Sequence, residues 1–154
     1  MKEIRKYLYA LLESDTTIRT YTGHSASDPR VYLIWPPENI KLTVSTPAKI
    51  AVNYSELGSI PSGELVEGAQ YPDGFFMVDV FANTPDLRDD IVERIETLFK
   101  RSNYSDLEFS TTTFRIMRIE RESKENSVEL HPGTQKIDSF RTHLRFYLHK
   151  IYRK

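Results

Sequence analysis

The most apolar run of the chain, FFMVDVFA at residues 75 to 82, contains one carboxylate, Asp79. On an alternating strand Phe75, Met77, Asp79 and Phe81 share one face, so Asp79 stands among aromatic side chains, the setting of a general base. The same setting suits a carboxylate paired across a sheet, and Arg115, Arg118, Arg141 and Arg145 all fall on expected strands. The pairing reading is preferred, because spacing places no second catalytic group beside Asp79. Three further acids, Asp86, Asp89 and Asp90, follow at once. They lack the alternating oxygen donors and the glycine of a calcium loop, and they would repel a phosphate. His143 and His149 would share a strand face about 20 Å apart at ~3.3 Å per residue, too far to hold one metal ion together. Neither His24 nor His131 adds a ligand spacing. No Walker loop, G-x-S-x-G, H-E-x-x-H or dinucleotide glycine fingerprint occurs, and there is no cysteine. The expectation is a protein without catalytic residues, metal or cofactor.

The elements that position these residues are legible in part. Ile4, Tyr7, Leu8, Leu11 and Leu12 recur at helical spacing over residues 2 to 13, and Asp15 can cap a short turn through Ile18 and Tyr21 that stops at Gly23. RVYLIW (30 to 35), ended by Pro36-Pro37, then KLTV (41 to 44) and AKIAVNY (48 to 54) read as strands, with Ile50, Val52 and Tyr54 on one face. After the FFMVDVFA strand, Thr84-Pro85 starts a helix whose buried stripe is Leu87, Ile91, Val92, Ile95, Leu98 and Phe99. Asp86, Asp89 and Asp90 complement its dipole, and Asp90 to Arg94 is an i,i+4 pair. Residues 110 to 121 form another strand and SFRTHLRFYLHKIYR (139 to 153) the last. Two polar connections, 55 to 74 and 122 to 138, read as arms. Hairpins dominate, so the expected fold is α+β: one domain over 1–154, a mainly antiparallel sheet of about four to five strands, and two α-helices packed on one face.

The last strand puts Phe140, Thr142, Leu144, Phe146 and Leu148 on one face and Arg141, His143, Arg145, Tyr147, His149 and Arg153 on the other. One reading of the basic face is a nucleic-acid module built on Arg141, Arg145, Tyr147 and Arg153, with Tyr147 as stacking platform. The preferred reading is a sheet face neutralised by Glu120, Glu122 and neighbouring strands, or a subunit interface. A formal net charge of -1, from 21 basic and 22 acidic residues, gives no overall attraction to nucleic acid or anionic membrane. With 39% hydrophobic and 28% charged residues the chain is expected to fold without staples. No signal peptide and no stretch near ~20 apolar residues is present, so assembly in a cytoplasm is expected.

Taken in order, LLESDTTIRTYTG, RVYLIWPP, PAKIAVNY, FFMVDVFANTPDLRDDIVERIETLF and SFRTHLRFYLHKIYR resemble the tail-completion proteins of long-tailed bacteriophages, the tail-terminator or tail-to-head joining family. The resemblance implies a non-enzymatic virion protein of the tail or neck. Its copies would close into a ring, commonly a hexamer, that caps the tail tube protein, joins it to the head-tail connector protein and lets genomic DNA through its lumen. The resemblance assigns no site residue. Leu57, Ile60, Leu65 and Val66 on the first arm, Val128 and Leu130 on the second, and Arg141, Arg145 and Tyr147 are the expected subunit or partner contacts.

Overall fold

The structure, a computed structural model, describes residues 2–37, 40–57, 70–99, 109–110 and 114–153. Helices α1 (Lys2–Ser14) and α2 (Thr16–Thr22) lead into strands β1 (Val31–Leu33), β2 (Ala48–Glu56), β3 (Gln70–Tyr71) and β4 (Gly74–Ala82). Helix α3 (Pro85–Phe99) follows, then β5 (Phe109–Ser110), β6 (Phe114–Leu130) and β7 (Ile137–Arg153). The fold is α+β with one sheet in the order β1-β2-β4-β7-β6-β5, and β3 pairs β7 off that path. All pairings are antiparallel except β1 with β2. Five strands carry the sheet and two are two-residue pieces, so the expected mainly antiparallel α+β class stands, with α2 as a third, short helix.

The alternation expected of β4 holds. Phe76, Val78, Val80 and Ala82 are fully buried under the helices, together with Leu144, Leu148 and Thr142 of β7 and Ile50 and Val52 of β2. Helix α1 covers β1 and β2, while α3 covers β4, β7 and β6. Its stripe of Ile91, Val92, Ile95 and Phe99 is buried, with Leu87 and Leu98 partly so. Phe99 packs its ring 5.5 Å from Phe76 and 5.1 Å from Phe146, an aromatic cluster at the centre of the core. Thr84 Oγ1 accepts from Leu87 N at 3.3 Å, which caps α3 as its residue types indicate.

Helix α2 is closed at both ends by the expected residues. Asp15 Oδ1 accepts from Ile18 N at 2.9 Å, and Gly23 takes the left-handed conformation with φ of 70°. A side chain at Gly23 would also meet Ser45 O at 2.3 Å, so the loop before β2 closes tightly on this turn.

Asp15 also supplies the one partner of Arg94 that periodicity misplaces. Arg94 Nη2 lies 2.6 Å from Asp15 Oδ2, 79 residues away, in place of the expected i,i+4 pair with Asp90. Burial opposes the Asp15 charge, but the Arg94 hydrogen bond and the backbone donors Ile18 and Thr17 outweigh it and hold the pKa below its usual value of 3.8. A depressed folded-state pKa stabilises the protein above the unfolded value and loses that contribution as pH falls through the folded one. Asp15→Ala is therefore expected to cost about 2 kcal/mol near neutral pH, a cap plus a charged hydrogen bond, and less once pH falls below the ordinary carboxylate range; urea denaturation at neutral pH and in acid checks it.

Three segments depart from expectation. KLTV is not a strand: Thr43 Oγ1 accepts from Thr46 N at 3.0 Å and Thr43 N donates to Thr46 O, so side-chain and turn bonding replaces a ladder. β1 stops at Leu33, before the prolines, because Ile34 adopts φ of 77°. The polar stretch 122 to 138 is mostly ladder: β6 and β7 pair from Phe114↔Arg153 to Leu130↔Ile137, leaving only 131 to 136 as the turn. Its paired residues are mostly polar and exposed on both faces, so no alternation marks them as strand. Most of the first arm, including Ile60, Leu65 and Val66, lies outside the described residues.

Candidate functional site

The sheet face away from the helices gathers the residues with chemical potential. The β4–β7 register sets Asp79 opposite His143 and Phe81 opposite Arg141. Asp79 is 8% exposed. Its Oδ1 accepts from Arg141 Nε at 2.8 Å, lies 2.6 Å from Arg141 Nη2, and stands 3.0 Å from His143 Nδ1. Arg141 Nη1 reaches on to Glu129 Oε1 at 3.2 Å. Burial works against the Arg141 charge, yet Asp79 and Glu129 together raise its pKa. Of the four arginines available by sequence, register selects Arg141. It also brings in His143, which alternation places on the same face of β7 but which only the register sets opposite Asp79.

Aromatic rings roof this network. After β1, Ile34 turns the chain back over the sheet, with Ile34 N donating to Val52 O at 2.6 Å. Trp35 then packs edge-on to Phe81 at 5.6 Å, and the Arg141 guanidinium lies 5.4 Å from the Trp35 ring. A β-branched residue in the left-handed region costs about 1–3 kcal/mol, and that strain is what delivers Trp35 onto the outer face. Lys49 Nζ sits 5.3 Å from the Phe81 ring and donates to Ile40 O at 3.0 Å. Its pKa is lowered, chiefly by burial.

Further along the same face Arg145 stacks 3.6 Å over Phe75, Phe75 lies 5.3 Å from Tyr147, and Tyr147 stacks on His149 at 4.6 Å. Tyr147 donates its hydroxyl to Asp73 Oδ2 at 2.7 Å. Carboxylates answer the arginines described here: Arg145 Nε is 2.9 Å from Glu122 and Arg118 pairs with Glu120, whose Oε2 also lies 3.3 Å from His149 Nε2, while the Arg153 side chain lies outside the described residues. A face built this way is held together internally and offers a polyanion no surplus charge. Asp79 Oδ1 is engaged by Arg141 and His143 together, the pattern of a carboxylate paired across a sheet. The remaining histidines are separate. His24 is buried between Glu13 and the Arg30 backbone, and His131 lies at the β6–β7 turn. Among the described residues no cluster of three or more potential ligands could hold a metal ion, and no helix is long and apolar enough to cross a membrane.

Of the expected contact residues, Leu57, Val128 and Leu130 are 45%, 47% and 47% exposed, whereas Arg141, Arg145 and Tyr147 are engaged on the outer sheet face. Exposed Val128 and Leu130 join Ile137, 54% exposed, at the far end of the β6–β7 ribbon.

No family model matches the chain, and no curated protein does. Among solved structures, a chain of the virion of a native gene transfer agent particle superposes with a TM-score of 0.58 at 13% identity, over 98% of this chain and 95% of its own. A second solved chain aligns with a TM-score of 0.47 at 14% identity, over 96% and 95%. The chain shares its fold, end to end, with a component of a virion particle.

Proposed function

We propose that this chain is a non-enzymatic structural subunit of a virion, a tail-completion protein whose copies close into a ring. The ring, a hexamer by the family pattern, caps the tail tube and joins it to the head connector, with genomic DNA passing through its lumen. The observation that carries the reading is the superposition over nearly the whole of both chains on a virion component, with no large domain added or lost. Asp79, bonded to Arg141 and His143, is read as a structural charge pair within the sheet. The basic face of β7, neutralised by Asp79, Glu120, Glu122 and Glu129, argues against nucleic-acid binding as the principal role.

Electron microscopy of particles made without this protein tests the proposal. Tails of abnormal length, or heads and tails left unjoined, are the expected result. Normal particles would overturn it. Purified protein that stays monomeric at every concentration and binds DNA with strong salt dependence would favour the nucleic-acid reading instead.

A further inference from the structure

Ile34 combines a strained backbone with an exposed position. Its φ is 77°, left-handed for a β-branched residue, and it is 56% exposed. Such strain persists where the surroundings over-determine it, and here the restraints are few. Ile34 N donates to Val52 O, and the next residue, Trp35, meets the Phe81 ring edge-on and the Arg141 guanidinium while staying 53% exposed. One aromatic pair and one cation–π contact are of the same size as the strain they hold, so the two nearly balance. The Ile34 N–H, on an exposed residue, can take water in exchange for Val52 O.

The contacts beneath Trp35 do not depend on it. Phe81 keeps Lys49 and Arg141 at 5.3 Å and 5.5 Å from its ring, and Arg141 keeps Asp79 and Glu129. The ends of the segment are fixed. Val31 is 1% exposed and pairs with Ile50 on β2, and Pro36 is buried. Leu33, Ile34 and Trp35 lie exposed between these anchors. Pro36 confines Trp35 to extended backbone, so the rotation that frees the indole is left to Ile34.

We propose that residues 33 to 35 form a strap with two positions. In the closed position, seen in this structure, Ile34 is left-handed and Trp35 lies against Phe81 and Arg141. In the open position Ile34 relaxes to an extended φ, its N–H leaves Val52 O, and Trp35 lifts away from the sheet. Opening uncovers the Phe81 ring and the Arg141–Asp79 pair, so the chain has two outer faces that differ in whether its one indole is laid down or free. Any surface that binds the freed Trp35 or the uncovered Phe81 selects the open state, which couples contact at this face to the backbone of Ile34. The strap follows from the chain's own geometry and stands whether or not copies close into a ring.

Trp35 is the only tryptophan, so fluorotryptophan labelling gives a single fluorine NMR signal from the strap. Wild-type protein is expected to show exchange at this signal: two resonances, relaxation dispersion or, when exchange is faster, a drift with temperature toward the position of the free amino acid. Ile34→Gly removes the strain and is expected to lower the open population about tenfold. Ile34→Asn, which keeps a side chain but tolerates the left-handed region, should act in the same direction. Glycine in an unstrained loop would loosen it and increase exchange, so the sign separates relieved strain from added flexibility. Phe81→Leu keeps an apolar side chain without the ring and should raise the open population about fivefold. Circular dichroism verifies that each variant folds. A wild-type signal without exchange, exchange that grows in Ile34→Gly and Ile34→Asn, or a folded Phe81→Leu variant with no rise in the open state would overturn the strap.

Discussion

Asp79→Ala is expected to lower stability by about 3 kcal/mol, the cost of breaking a largely buried ion pair by removing one partner. Asp79 is 8% exposed, and its Oδ1 takes both the Arg141 guanidinium and His143 Nδ1. Without it, Arg141 retains Glu129, whose side chain is 43% exposed, while its guanidinium stays partly desolvated over Trp35 and Phe81. Asp79→Asn keeps the shape and an acceptor oxygen but loses the charge, so about 2 kcal/mol is expected. Urea denaturation midpoints give both values. A double-mutant cycle with Arg141→Met should show coupling of about 2 kcal/mol; additive losses would mean that the two side chains act independently. If Asp79→Asn left stability unchanged and abolished a defined turnover, Asp79 would be catalytic after all.

A larger loss, about 4 kcal/mol, is expected for Phe76→Ala, in the range for deleting a fully buried aromatic side chain. Phe76 has no solvent exposure and packs on Phe99, which packs in turn on Phe146. This triad joins β4, α3 and β7, so a cavity there loosens the helix from two strands at once. A substitution of Ile137, 54% exposed at the ribbon tip, should by contrast leave the urea midpoint near the wild-type value. Urea denaturation followed by circular dichroism on the two variants measures the contrast. Equal stability of Phe76→Ala and wild type would show that the core repacks around the gap.

The parts of this fold that follow from sequence are those written as local pattern. The α3 stripe from Leu87 to Phe99, the Thr84 cap, the Asp15 and Gly23 ends of α2, and the in-out alternation of β4 and β7 all depend on spacing of 3.6 or 2 residues or on one residue's backbone preference. Those patterns also indicated a paired Asp79 and an α+β sheet with helices on one face.

Tertiary structure decided what periodicity does not encode. Strand register chose Arg141 and His143 for Asp79, because cross-strand neighbours depend on how two distant segments slide into alignment. Helix packing gave Arg94 to Asp15 across 79 residues. The outer part of β6, residues 122 to 130, escaped a reading based on alternation because both its faces meet water, so pairing partners and not burial make it a strand. Trp35 reaches Phe81 only because Ile34 accepts a strained backbone, and no local preference of isoleucine announces that turn.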